Sequence, residues 1–171
     1  MGALVVESTS DRDFQIVDGQ QRMATLSILA LAIIATLGEQ TGSQEEQTAN
    51  QDRARRLRER FIGEKDPASL LESSKLFLNE TDNGFYQDYL VQLRTPTNPR
   101  GLPRSNRLLW DCFVWFKARL VARRELRGEA LAALLSETVA SKLLFILLTV
   151  DDGLSAYTVL NTLIARGLEL S

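Results

Sequence analysis

Phe14 to Leu26, FQIVDGQQRMATL, is the stretch from which the rest of this chain can be read. Phe14 to Val17 is apolar and partly β-branched, Asp18-Gly19 carries turn chemistry, and from Met23 to Leu37 apolar residues run on with little polar interruption. The pattern predicts a short strand, a tight turn and the N-terminus of a long helix. Such a helix start offers backbone N–H groups with no intrahelical acceptor at the positive end of the macrodipole, which suits a phosphate. A reading without any ligand also exists: Asp18 and Gln21 have the spacing of a capping box, with Asp as N-cap and Gln reaching back. The cap does not account for Arg22, a cation in a first turn where the dipole disfavours positive charge by a few tenths to ~1 kcal/mol. An anion nearby would offset that cost, and both readings stay open.

Outward from this junction, Ala3 to Glu7 and Phe14 to Val17 flank the polar segment Ser8 to Asp13 and predict an opening β-hairpin. The helix after the turn is expected from about Gln20 to Leu37, apolar around most of its circumference, with Gly38 as its C′ stop. Residues 39–50, EQTGSQEEQTAN, have almost nothing to bury and are expected to form a mobile loop. Residues 51–62 resume helical character with five arginines over a narrow apolar stripe of Leu57, Phe61 and Ile62. Arg53, Arg56 and Arg60 are candidates for DNA contact; the plainer reading is a solvated face neutralised by Asp52 and Glu59.

Further on, Phe85, Tyr89 and Leu93 share one face of a capped helix, and residues 95–103 form a proline-rich loop. A long helix follows from about Ser105, in which the rhythm of Leu109, Cys112, Phe113, Phe116 and Leu120 makes Cys112 a structural thiol. Glu129 to Ser141 is a further helix, and Leu143 to Val150, LLFILLTV, reads as a fully buried central strand pairing beside Phe14 to Val17. A last helix from Leu154 ends at Arg166-Gly167, where Gly167 suits the left-handed C′ conformation and Arg166 has the sign the dipole favours. The fold class expected is α+β, helix-dominated, with a small sheet made by the N-terminal hairpin and the late strand.

With 171 residues, 44% hydrophobic and 25% charged, the chain suits one soluble globular domain. Its single cysteine and the lack of a signal-peptide pattern near Met1 point to a cytoplasmic location, with no membrane as partner. The absence of histidine removes the commonest general base and metal ligand, so zinc, haem and histidine-based nuclease chemistry are excluded from this chain. The net charge of -2 conceals an asymmetry. Residues 51–127 hold 16 Lys/Arg against 10 Asp/Glu, whereas the remainder holds 4 against 12. The basic middle predicts at most weak, salt-sensitive DNA binding without sequence preference.

Asp18-Gly19-Gln20-Gln21-Arg22, followed by Met23-Ala24-Thr25-Leu26, resembles the DGQQR signature of the ParB-like, sulfiredoxin-related domain of GmrSD-type modification-dependent restriction enzymes. Near the other end Ala156 to Leu170, AYTVLNTLIARGLEL, is similar to the helix-and-turn motif that family writes as Phe-Glu-x-Leu-Asn-x-Arg-Gly, so the resemblance spans essentially the whole chain. It implies a ParB/sulfiredoxin-like core from 1–38 and 142–171, a helical insertion at 51–141, and a single domain that is a fragment of a longer protein. It also implies a nucleotide-binding sensor of a restriction or phage-defence system, resembling an NTP hydrolase that works with Mg and feeds a histidine-containing nuclease domain elsewhere. In that resemblance Asp18 is the catalytic residue, and Gly19, Gln20, Gln21, Arg22, Arg166 and Gly167 hold the nucleotide phosphates. The chain departs from the motif at Asn161 and Ile164, where Glu and Asn are expected, which implies slow or absent hydrolysis. The alternative is a catalytically silent DNA-binding or assembly module using the basic middle.

Overall fold

The computed structural model describes residues 2–9, 13–71, 74–143, 145–150 and 158. Packing divides the chain into two compact units, residues 1–23 with 141–171 and residues 24–140. The helix after the junction begins in the first unit and continues in the second.

The first unit is a three-stranded sheet. β1 (Gly2–Ser8) and β2 (Phe14–Asp18) form the expected antiparallel hairpin, closed where the Thr9 backbone N–H and hydroxyl both donate to Asp13 O at 3.0 Å. β3 (Phe145–Val150) lies parallel to β1, with Leu4 opposite Leu147 and Val6 opposite Thr149, giving the order β2-β1-β3. The expectation that the late strand pairs beside Phe14 to Val17 is therefore corrected. The central place goes to β1, whose Val5 and Val6 are 0% and 4% exposed. β2, with Gln15 in its middle and Phe14 exposed, suits an edge. β3 is not the fully buried central strand expected either, since Leu147 is 59% exposed. A short apolar run in sequence does not reveal how many of its faces are covered.

The second unit is helical. α1 (Gln20–Glu39) runs through Gly38 without stopping, and Ile28 to Leu37 is buried almost all round, Leu29 alone being only partly so. By length and composition α1 could cross a bilayer, but here protein covers that stretch. α2 (Gln44–Phe61) begins inside the segment expected to be a mobile loop. A capping box supplies the order that apolar burial could not: Glu46 N donates to Ser43 Oγ at 3.2 Å and Ser43 N to Glu46 Oε2 at 2.8 Å. The Ser43 backbone N–H, and after it the Ser43 hydroxyl, hold the Glu46 carboxyl below its ordinary range. The box is therefore intact above that range and weakens as pH falls through the lowered value.

α3 (Glu80–Phe85) continues as a π-helical stretch, Tyr86–Val91; α4 spans Arg104–Ala122; α5 (Gly128–Ala133) continues through a second π-helical stretch, Leu134–Val139. Leu57, Ile62, Phe85, Leu90, Phe113, Leu120, Leu131 and Leu135 join α1 in one core. Two polar ties run through it. The Tyr86 hydroxyl, fully buried, meets Ser27 Oγ at 2.5 Å and Ser74 Oγ at 3.4 Å. Arg58, 8% exposed, turns inward and donates to Val91 O at the end of the π-helical stretch, satisfying a carbonyl without an intrahelical donor.

Tyr86→Phe should lower unfolding free energy by about 1–3 kcal/mol, because it removes the shared partner of two buried or half-buried serine hydroxyls; urea denaturation measures this. Ser43→Ala should cost about 1 kcal/mol and speed amide exchange selectively in the first turn of α2.

Candidate functional site

The junction is built by a bulge, a glycine and a helix start. The hairpin register shifts between Val5 and Val6, which stand opposite Asp18 and Ile16, so Val17 is the extra residue on β2. Bulges increase local twist and re-aim neighbouring side chains. Asp18, the next residue, is only 9% exposed. Gly19 follows at φ 92°, a left-handed conformation that other residues enter only with strain.

Gly19 O accepts the first helical bond, from Met23 N at 3.1 Å, which makes Gly19 the cap residue and Arg22 the third residue of the helix. The Asp18/Gln21 capping-box reading is thereby overturned: the glycine displaces the register by one. Gln20 returns its side-chain amide to Ile16 O at 2.8 Å and ties the helix start to β2. Its amide is structural, while Gln21 faces solvent.

Arg22 approaches Asp18 Oδ2 at 3.9 Å, with their side chains 24% and 10% exposed. This contact accounts for a cation in the first turn, since the anion that offsets the dipole is part of the chain. It leaves Asp18 Oδ2 buried with no hydrogen-bond donor among the described residues. A buried carboxylate oxygen without a donor carries a desolvation cost of about 1–3 kcal/mol, more for a charged group. Asp18, Gly19, Gln20, Gln21 and Arg22 thus come together as one acid, one base and one helix N-terminus. Arg166, Gly167, Asn161 and Ile164 lie outside the described residues.

Arg53, Arg56 and Arg60 do not form a common patch of open guanidinium groups. Arg53 Nη1 donates to Asn50 Oδ1 at 2.9 Å, inside a network in which Gln40 Oε1 also accepts from Asn50 and from Gly128 N. Arg56 and Arg55 both grip Asp52. Arg60 lies over the Phe61 ring, 5.0 Å from its centroid. Neither that network nor the 390 Å³ cleft it borders, between the α1–α2 connection, α2 and the start of α5, is foreshadowed by the sequence pattern. The one local signal is Gly128, which sits at φ 48° where an added Cβ would meet Asn50 Oδ1 at 3.4 Å. Cys112 is half-buried and burial raises its thiol pKa, as suits an inert packing residue. Among the described residues no three His, Cys, Asp or Glu side chains cluster as a metal site.

A helix-dominated α+β fold whose hairpin feeds an acid-glycine-arginine helix start defines the class of the chain. The chain belongs to the family of GmrSD restriction endonuclease N-terminal domains, with the match spanning residues 1–171. That places it in a restriction and phage-defence context, as the N-terminal part of enzymes that carry their nuclease in a separate domain. No curated protein matches the sequence.

Two glycines of α1 and its cap should respond oppositely to alanine. Gly19→Ala is expected to destabilise by about 1–2 kcal/mol through its positive φ. Gly38→Ala, where an added Cβ meets nothing within 4 Å, should stabilise by roughly 0.5–1 kcal/mol. Denaturant midpoints of the two variants check both signs.

Proposed function

We propose that the strand-to-helix junction is the phosphate seat of a nucleotide-binding sensor domain. The observation that carries this reading is Asp18 Oδ2, buried without a donor among the described residues, beside Arg22 at the N-terminus of α1. Helix-opening N–H groups and a guanidinium suit the phosphates. The carboxylate on its own would repel them. A magnesium ion resolves that conflict, because Mg²⁺ is commonly bound by one or two carboxylates together with substrate phosphates and waters. One orphaned carboxylate oxygen fits that donor set and needs no three-residue cluster. Magnesium would supply neutralisation of phosphate charge and polarisation of the phosphoryl oxygens. Asp18 then holds the ion, Gly19 and Gln20 present the helix start, and Arg22 divides its charge between Asp18 and the phosphates.

Arg166 and Gly167 join the seat in the reading that the sequence resemblance suggests. Leu160-Asn161 matches the Leu-Asn of the family motif, so the position that lacks its carboxylate is Thr158 and not Asn161, and that loss lowers turnover more than binding. The domain therefore acts as a nucleotide sensor with weak hydrolysis, reporting to the nuclease domain.

Thermal unfolding with nucleoside triphosphates and Mg²⁺ tests the proposal. A nucleotide at 100 times its Kd should add about 2.7 kcal/mol of stability. Asp18→Asn should remove the magnesium dependence of that shift, and Arg22→Gln should weaken it with or without metal. No shift with any common nucleotide, together with salt-sensitive DNA binding lost in Arg56→Ala/Arg60→Ala, would replace the sensor reading by the DNA-binding one.

A further inference from the structure

We propose that the outward face of α4 is a self-association surface, which pairs antiparallel with α4 of a second copy of this chain about a two-fold axis at Trp115. The inward face of α4 is fully used: Phe113 and Leu120 are 5% and 6% exposed, and Lys117 Nζ holds both Glu39 carboxylate oxygens at 2.8 Å. The opposite face ought to be polar on a helix with only one covered side. Instead Leu108, Val114, Trp115 and Val121 are 60%, 45%, 54% and 65% exposed, with Ala118 and Ala122 exposed among them. Their spacing follows the helical repeat, so they make one stripe along about 21 Å of helix. Large exposed apolar stripes are uncommon on surfaces without a partner.

Charge on the stripe selects the partner and its direction. Asp111 and Arg119, both exposed, stand four residues before and four residues after Trp115. Antiparallel pairing about Trp115 sets each Asp111 opposite the Arg119 of the other copy, and the two-fold axis makes that pair twice. Parallel pairing would set Asp111 against Asp111 and Arg119 against Arg119. The alanines allow the helices to approach closely. Trp115, with the Arg119 guanidinium 5.1 Å from its ring centroid, supplies the aromatic and arginine anchors that dominate interface energies. One helix pair falls at the small end of stable interfaces, so the association should be concentration-dependent, with a Kd of roughly micromolar order.

Sedimentation equilibrium of the 171-residue chain from ~1 to ~200 µM tests this, with circular dichroism to confirm that each variant is folded. The wild type should pass from monomer to dimer, and Trp115→Glu should remain monomeric. Asp111→Arg or Arg119→Asp alone places like charges opposite and should weaken dimerisation by about tenfold or more, while the two together should recover it to within about threefold. A wild type that stays monomeric throughout, as it would if the chain covers this stripe itself, overturns the proposal. So does a dimer that Trp115→Glu leaves intact, or a double reversal that recovers nothing.

Discussion

One backbone conformation, Gly19 at φ 92°, carries the chain from the sheet into the helix on which the core is assembled. Upstream of it the β2 bulge at Val17 turns Asp18 inward, and downstream α1 buries Ile28, Leu31, Ile33 and Leu37 at 0–1% exposure. Each such side chain contributes about 1.5–3 kcal/mol on burial, so the four together are comparable with the net stability of a whole domain. That energy fixes the greater part of α1 within the helical unit. Asp18 can keep a carboxylate oxygen buried without a donor among the described residues because strand pairing precedes it and the helix start follows it. Strain and desolvation of this kind persist only where surrounding structure over-determines them.

The hairpin and α1 are legible in the sequence because their signals are local: alternation or apolar runs, separated by turn residues. β3 is misplaced by the same reading because which strand it pairs with is decided across a long crossover, and nothing local to Leu143 to Val150 encodes that partner. Residues 39–50 read as a loop only if burial is the sole source of order. The Ser43/Glu46 box and the Gln40 bonds to Asn50 and Gly128 supply it through polar groups instead. At the site itself, the residues are visible in sequence and their register is not. A glycine cap in place of an aspartate cap moves Arg22 into the third helical position, beside Asp18, and changes a self-sufficient capping box into an acid with an unfilled valence.

The arginines show the same limit. Five of them between Arg53 and Arg60 read as one basic face, but packing separates them. Arg58 goes inside to Val91 O, Arg53 joins the Asn50 network, Arg55 and Arg56 share Asp52, and Arg60 stacks on Phe61. Exposed ion pairs contribute little to stability, about 0–1 kcal/mol each, yet they lower the field available to a polyanion. Counting cations therefore overstates the nucleic-acid affinity of this face.

The pairing of Asp18 with Arg22 bears on selectivity in the proposed nucleotide seat. Free phosphate arriving at α1 would meet helix N–H groups and a guanidinium, but also a buried carboxylate whose charge lies within a few ångströms and is poorly screened. A phosphate chain that brings a divalent cation reverses that penalty, since the cation satisfies the carboxylate oxygen that has no donor. Arg22, 3.9 Å from Asp18 without the ligand, would then be released to the phosphates at little cost in its own neutralisation. In the proposed seat the acid would make binding conditional on metal and phosphate together, whereas a helix N-terminus without it would accept any small anion. Asp18→Asn should accordingly narrow the difference in affinity between free inorganic phosphate and magnesium-bound nucleotide from both sides, strengthening the first while weakening the second, and calorimetric titration of both ligands into wild type and variant would show an unchanged ratio if Asp18 only shapes the turn.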